Sequence, residues 1–160
     1  MRLCPLLLLL LIGAASTQPI QWHAKGVIST TEAKLNHVEA EQWINATPLE
    51  DGLHIDLPRK GYSYVTLTDR FNYSEKAVMQ VKLAALKGSF SVQAVCYDDE
   101  GRVFNYVDLL EYIESPGTFE VPMKIYRTPL KGTKKIAFKL WLAGDHPTAT
   151  VASLAYGMTQ

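Results

Sequence analysis

The stretch Ile136-Ala137-Phe138-Lys139-Leu140-Trp141-Leu142 decides the fold, because large apolar side chains recur in it at every second position. Ile136, Phe138, Leu140 and Leu142 fall on one face, and Lys139 and Trp141 fall on the other. Alternation with a period of two is typical of a β-strand that packs one face against a core. The stretch therefore predicts a half-buried strand near the end of the chain.

Similar segments lie on both sides of this strand. Glycine-containing turns such as Lys87-Gly88 and Asp99-Glu100-Gly101 separate several of them. Many short strands without interleaved long helices predict an all-β protein, an antiparallel β-sandwich. The predicted strands cover residues 53–57, 63–67, 79–85, 90–96, 119–125 and 148–156.

Two stretches allow a helical alternative. Ser29 and Glu32 have the spacing of a capping box, and a short helix near residues 32–44 could follow them. Residues 108–114 could also form a helical turn between strands.

The first sixteen residues have the layout of a secretory signal peptide. Arg2 precedes the apolar run of residues 6–12, and small side chains follow at residues 13–16. The apolar run is shorter than the roughly 20 residues that a membrane-spanning helix needs. We therefore expect a leader over residues 1–16, a single β-sandwich domain over residues 17–160, no membrane span, and a secreted or periplasmic location.

Composition excludes some classes of protein. Of the 160 residues 48% are hydrophobic, and 16 basic residues balance 16 acidic ones. This composition excludes a disordered chain and disfavours a nucleic-acid binder that relies on overall positive charge. The basic stretch 124–139 could meet a polyanion, but the solvated face of an edge hairpin is the favoured interpretation.

Known catalytic and metal-binding motifs are missing from the sequence. The four histidines lack the spacing of a metal-binding pair, and Cys96, within an apolar strand, is predicted to be buried and inert. Asp98-Asp99-Glu100 could be a calcium or acid–base cluster. Because Gly101 follows it directly, a hairpin turn is the favoured interpretation.

The aromatic residues favour a binding surface. If Val65 and Leu67 point into the core, Tyr62 and Tyr64 point outward, as does Trp141 on its own strand. Aromatic rings stack on the C–H face of a sugar, and nearby amides and ammonium groups bind its hydroxyls. The alternative is that the tyrosines cover the sheet or pack under loops. The predicted ligand-binding residues are Tyr62, Tyr64, Gln80, Lys82, Gln93, Lys139 and Trp141.

Residues 25–158 resemble the galactose-binding-domain-like jelly rolls and are similar to bacterial carbohydrate-binding modules. The resemblance rests on Trp43 followed by the turn and strand at residues 50–55, on the hairpin at residues 97–101, and on the two last strands. It implies a jelly roll that binds glycans. Such modules often hold a structural calcium ion. Glu39 and Glu41 are available early in the chain, but the closing strand has no carboxylate. We therefore expect no cofactor, and a structural calcium is disfavoured.

Three functions remain open on these observations. The favoured one is a secreted, non-catalytic protein whose partner is a polysaccharide or other glycan. The second is an envelope or extracellular module that binds a protein partner or has a structural role. The third is a polysaccharide lyase or hydrolase on a jelly-roll scaffold, for which Asp98, Asp99 and His54 would be the acid–base groups.

Overall fold

The computed structural model describes residues 21–24, 34–36 and 44–158, and it gives side-chain environments for residues 44–157. The predicted signal peptide lies outside these residues. No helix in the described part of the chain has the length and apolarity needed to cross a membrane.

The described chain is almost entirely β-structure. Its one helical element is a single 3-10 turn at Met123–Tyr126. The strands are β1 (Gln21–Ala24), β2 (Lys34–Asn36), β3 (Asn45–Leu49), β4 (Gly52–Asp56), β5 (Gly61–Thr66), β6 (Phe71–Asn72), β7 (Ala77–Tyr97), β8 (Val103–Ile113), β9 (Gly117–Pro122) and β10 (Lys135–Met158).

Two long antiparallel strands, β7 and β10, organise the whole molecule. Residues 89–97 of β7 pair with residues 135–143 of β10, and we call the sheet around them the front sheet. Its strand order is β8, residues 89–97, residues 135–143, β5 and β2. The back sheet has the order β9, residues 77–87, residues 148–158, β4 and β3. The short strands β6 and β1 pair with the two ends of β10.

The two sheets pack face to face. Phe138 and Tyr156 are 18 positions apart on β10, a separation of about 60 Å in an extended strand. Their ring centroids lie only 5.9 Å apart. The strand has therefore folded over, and the apolar faces of both sheets meet in one core. The predicted core face of β10 is confirmed, because Ile136, Phe138, Leu140 and Leu142 are completely buried.

Gly88 makes the fold-over possible in β7. Its φ of +94° is unfavourable for residues with a side chain, and a Cβ there would lie 2.5 Å from the Ala143 carbonyl oxygen. On β10 the pairing register shifts between Ala143 and Thr148, opposite this glycine. The two long strands thus bend at the same level and pass from the front sheet to the back sheet together.

The prediction of an antiparallel β-sandwich is confirmed, with five local corrections. Residues 79–85 and 90–96 belong to one strand, β7, because Lys87-Gly88 bends the chain without reversing it. Residues 136–142 and 148–156 likewise share β10. The strand predicted at residues 119–125 ends at Pro122, where the 3-10 turn begins, because proline has no N–H to donate to a ladder.

The helical alternatives are the remaining corrections. Residues 108–113 continue β8, where pairing with β7 outweighs any local helical preference. Lys34–Asn36 form β2 and pair with β5, so the helix near residues 32–44 is wrong at these positions. The rest of that predicted helix, up to residue 43, lies outside the described residues.

Candidate functional site

The outer face of the front sheet brings together five of the seven predicted ligand-binding residues. Trp141 on β10 lies directly between Tyr64 on β5 and Ser91 on β7. One step along the strands, Lys139 lies between Thr66 and Gln93. Tyr62 is on the same face, opposite Ala143. The front sheet therefore supplies a continuous surface that carries Tyr62, Tyr64, Gln93, Lys139 and Trp141.

Three aromatic rings form the centre of this surface. The ring centroids of Tyr64 and Trp141 are 4.4 Å apart, and those of Tyr62 and Trp141 are 6.3 Å apart with an interplanar angle of 30°. Tyr62 is 44% exposed, whereas Tyr64 and Trp141 are partly covered. The indole Nε1 atom of Trp141 is buried, and no acceptor among the described residues lies within hydrogen-bonding distance. A buried donor without an acceptor costs free energy, so an acceptor that reached it would bind favourably.

A groove of about 420 Å³ runs beside the indole ring. Its volume is within the range typical of small-ligand sites. It combines aromatic rings, hydroxyl groups, one amide and two carboxylates, and its lining residues are Tyr62, Ser89, Ser91, Gln93, Asp108, Glu111, Tyr112, Trp141, Leu142 and Ala143.

Strand β8 forms the acidic wall of the groove. The side-chain amide of Gln93 donates a hydrogen bond to Asp108 Oδ1 over 2.8 Å. The backbone N–H of Tyr112 donates to Ser91 Oγ over 3.1 Å. Tyr112 has a φ of +53° and a side chain that is 76% exposed. This conformation is uncommon for a bulky residue, and it leaves the phenol ring accessible at the rim of the groove.

Lys139 is paired with the groove residue Gln93, and its ammonium group lies between two tyrosine rings. Its Nζ atom is 4.3 Å from the ring centroid of Tyr64 and 4.5 Å from that of Tyr106. These distances are typical of cation–π contacts. Burial lowers the pKa of the Lys139 ammonium group because part of its hydration is lost.

The structure does not bring the other two predicted residues, Gln80 and Lys82, to this surface. Both lie on the half of β7 that belongs to the back sheet, because the strand bends at Gly88. Gln80 donates a hydrogen bond to Glu120 Oε1 over 2.7 Å, and Lys82 is exposed opposite Thr118. Their outward orientation is as expected, but they face solvent on the opposite side of the sandwich.

Several groove residues were not among the predicted ones. Ser89 and Ser91 are separated from Gln93 by four and two positions, so side-chain alternation along a strand predicts that all three lie on the same face. Asp108, Glu111 and Tyr112 were not, because the stretch that contains them was not predicted as a strand and allowed a helical turn. In addition, the pairing of β7 with β8 contains register shifts, so the face on which a β8 side chain lies does not follow from strict alternation along the strand.

The proposed acid–base residues do not form a joint site. His54 is on β4 in the back sheet, where its Nε2 atom lies 2.9 Å from Asp51 Oδ1. Asp98 is in the turn between β7 and β8, where its Oδ1 atom accepts backbone N–H groups of Glu100 and Arg102. The hydrogen bond from the Arg102 backbone, together with the Arg102 side chain, lowers the pKa of Asp98 below its usual value. The predicted hairpin turn at this position is therefore confirmed.

Two further observations within residues 44–157 concern metal ligands and the free cysteine. No group of three or more His, Cys, Asp or Glu side chains is arranged there to hold a metal ion. Cys96 is completely buried in the core, and burial raises the pKa of its thiol. A buried thiol with a raised pKa is a poor nucleophile.

Comparisons with known proteins give structural matches alone. No family model matches the sequence, and no curated protein matches it. The solution structure of CtCBM11 has a TM-score of 0.53 at 11% identity and covers 92% of this chain and 100% of its own. The xylan-binding module CBM15 has a TM-score of 0.52 at 11% identity, with 86% and 96% covered. The chain has the jelly-roll fold of these carbohydrate-binding modules.

Enzymes match over a smaller share of their length. The Endo-D glycoside hydrolase domain of Streptococcus pneumoniae R6 has a TM-score of 0.52 at 14% identity and covers 78% of this chain. The present chain spans only 21% of that hydrolase domain. CtCBM11 and CBM15, in contrast, match over nearly the whole of both chains.

Proposed function

We propose that the protein is a secreted, non-catalytic carbohydrate-binding protein, and that its glycan binds in the groove on the outer face of the front sheet. One observation carries the proposal. The indole ring of Trp141, whose buried Nε1 atom has no acceptor among the described residues, lines a groove whose other lining groups are two tyrosines, hydroxyls, an amide and carboxylates.

This combination of groups matches the chemistry of a sugar. The indole ring and the phenol rings of Tyr62 and Tyr112 offer flat apolar surface for the C–H face of a pyranose. Ser89 and Ser91 supply hydroxyls, and the hydrogen-bonded pair of Gln93 and Asp108 supplies both donors and acceptors. A sugar needs both kinds of contact at once, since its ring faces are apolar and its rim is polar.

The spacing of the outward side chains favours a polysaccharide over a single sugar. Tyr62, Trp141 and Lys139 follow one another along two adjacent strands. Alternate residues on a strand are about 7 Å apart, so these side chains extend over more than one sugar unit. We therefore propose an extended glycan as the ligand, and the secreted location follows from the leader predicted at residues 1–16.

A binding panel tests the proposal. The purified protein would be titrated by calorimetry with soluble xylan, mixed-linkage β-glucan, galactomannan and pectin, each with calcium and with chelator. Saturable binding to at least one polysaccharide, unchanged by chelator, is the expected result. A folded protein that binds no polysaccharide would contradict the proposal and favour the alternative of a protein partner.

The catalytic alternative is tested on the same panel. Asp108 and Glu111 are the carboxylates in the groove, so a hydrolase or lyase would depend on them. We expect no new reducing ends after prolonged incubation with the bound polysaccharide. Product formation that disappears in the Glu111→Gln variant would overturn the assignment as a non-catalytic protein.

A further inference from the structure

We propose that Lys139 selects acidic glycans by binding the carboxylate of a uronic acid unit next to the sugar on Trp141. This inference rests on the proposed carbohydrate-binding function and adds the chemical class of the ligand. It starts from the position of Lys139 on β10, two residues before Trp141 and on the same outward face. That spacing corresponds to about 7 Å along the strand, roughly one sugar unit away.

The ammonium group is held in place but has no carboxylate partner. Contacts with the rings of Tyr64 and Tyr106 confine Nζ, and no Asp or Glu oxygen of the described residues lies within 4.0 Å of it. The two rings leave ammonium N–H groups free for an acceptor from the ligand side. Since the group has lost part of its hydration, a carboxylate would bind it more strongly than a neutral hydroxyl does.

Other charges along this face favour an anionic unit at the same end. Four residues before Lys139 on β10, Lys135 is exposed on the same face. It is paired with Tyr97, and the guanidinium of Arg70 lies 4.0 Å above the ring centroid of that tyrosine. The carboxylate of Asp108 lies on the far side of Gln93, whose amide donates to its Oδ1 atom. Lys135 and Arg70 thus add positive charge beyond the buried Ala137, on the side of Lys139 away from Trp141, and the acidic wall of the groove is on β8.

Matched pairs of polysaccharides test the inference. Each acidic polymer, such as glucuronoxylan, polygalacturonate or alginate, would be compared with the same polymer after its carboxylates have been reduced to hydroxymethyl groups. We expect at least one acidic polymer to bind about tenfold more tightly than its reduced form at low salt. This preference should shrink as salt is added, because ions screen the contact.

Variants assign the preference to one residue. Lys139→Gln should remove the preference while binding of the reduced polymer persists, and Lys139→Arg should retain it. Lys124→Gln, which removes an equal charge from an exposed site on the 3-10 turn, should leave both affinities unchanged. Thermal unfolding of each variant establishes that it is folded.

The outcomes separate this inference from the proposed function. Equal affinity for acidic and reduced polymers overturns the role of Lys139 but leaves a carbohydrate-binding protein. A preference that survives in a folded Lys139→Gln variant also overturns it. The absence of binding to every polymer overturns the proposed function itself, and the inference with it.

Discussion

Tyr64 and Trp141 are 77 positions apart in the sequence, yet their rings lie 4.4 Å apart in directly paired positions on β5 and β10. Their pairing places both rings on the outer face of the front sheet, away from the core. The same pairing aligns Lys139 with Thr66 and Ala143 with Tyr62. The register of two strands therefore assembles the aromatic surface, and the fold and the proposed site depend on the same hydrogen bonds.

The bend in β7 provides a stability prediction. Gly88→Ala should destabilise the protein by more than about 1 kcal/mol, because the new methyl group would meet the Ala143 carbonyl oxygen and the Pro147 side chain. Gly101→Ala is the matched control. Gly101 also has a positive φ, but a Cβ there would meet only the end of the flexible Arg70 side chain, at 3.8 Å. Chemical denaturation of both variants measures the difference, and an equal loss in the two would exclude steric crowding at the bend.

The shared core provides a second prediction. Phe138→Ala should destabilise the protein by about 3–5 kcal/mol, because it leaves a cavity where the two sheets meet beside Phe71 and Tyr156. Ile125→Ala, at a side chain that is 64% exposed, should change the free energy of unfolding by less than about 0.5 kcal/mol. Denaturant titration of the two variants is the measurement. A small effect at Phe138 would be inconsistent with a folded-over sandwich.

Much of this fold could be predicted from the sequence because the strand signal is local. Ile136, Phe138, Leu140 and Leu142 reveal their common face without any knowledge of their partners. The continuity of β7 through Gly88 could not be predicted in this way, because a turn and a bend use the same residue types. Whether Gly88 reverses the chain or bends it depends on the pairing with β10, which lies more than fifty residues away.

The candidate site could likewise be predicted only in part. The outward orientation of Tyr62, Tyr64 and Trp141 follows from side-chain alternation along their strands, and the structure brings the three residues together. Gln80 and Gln93 both point outward on β7, but the bend between them puts them on opposite sides of the sandwich. Side-chain alternation identifies a residue that points outward, but the sheet to which that residue belongs depends on long-range strand pairing.

The separation of Gln80 from Gln93 is itself testable. Gln93→Ala should weaken glycan binding about tenfold, because it removes a groove amide and leaves Asp108 Oδ1 without its donor. Gln80→Ala and Lys82→Ala should leave affinity unchanged, since both residues lie on the back sheet. Calorimetric titration of the three variants with one polysaccharide provides the comparison. Loss of binding at Gln80 or Lys82 would move the site to the back sheet.

Alkaline pH should destabilise the protein through Tyr156. Burial raises the pKa of Tyr156 from 10.0 to about 12 in the folded protein. Below pH 10 the phenol is protonated in both states, so its full contribution to stability is present. As the pH rises from 10 to 12, the unfolded chain loses this proton while the folded protein retains it, and stability falls.

The Tyr156→Phe variant isolates this effect. It lacks the hydrogen bond that the Ser74 backbone N–H donates to the Tyr156 hydroxyl, so at neutral pH it should be about 1 kcal/mol less stable. Its stability should decline less between pH 9 and pH 11.5 than that of the original protein. Part of the decline should remain, because burial also raises the pKa values of Tyr73 and Tyr126. Parallel curves for the two proteins would disprove the role of Tyr156.

Calorimetric titration of the Trp141→Ala variant with a polysaccharide bound by the original protein, together with its melting temperature, tests the central claim most directly. The indole ring lines the groove from outside the core. We therefore predict a loss of affinity of at least a hundredfold with only a small decrease in melting temperature. Unchanged affinity in the folded variant, or a loss of stability as large as that of Phe138→Ala, would contradict the assignment of Trp141 as the residue on which the sugar stacks.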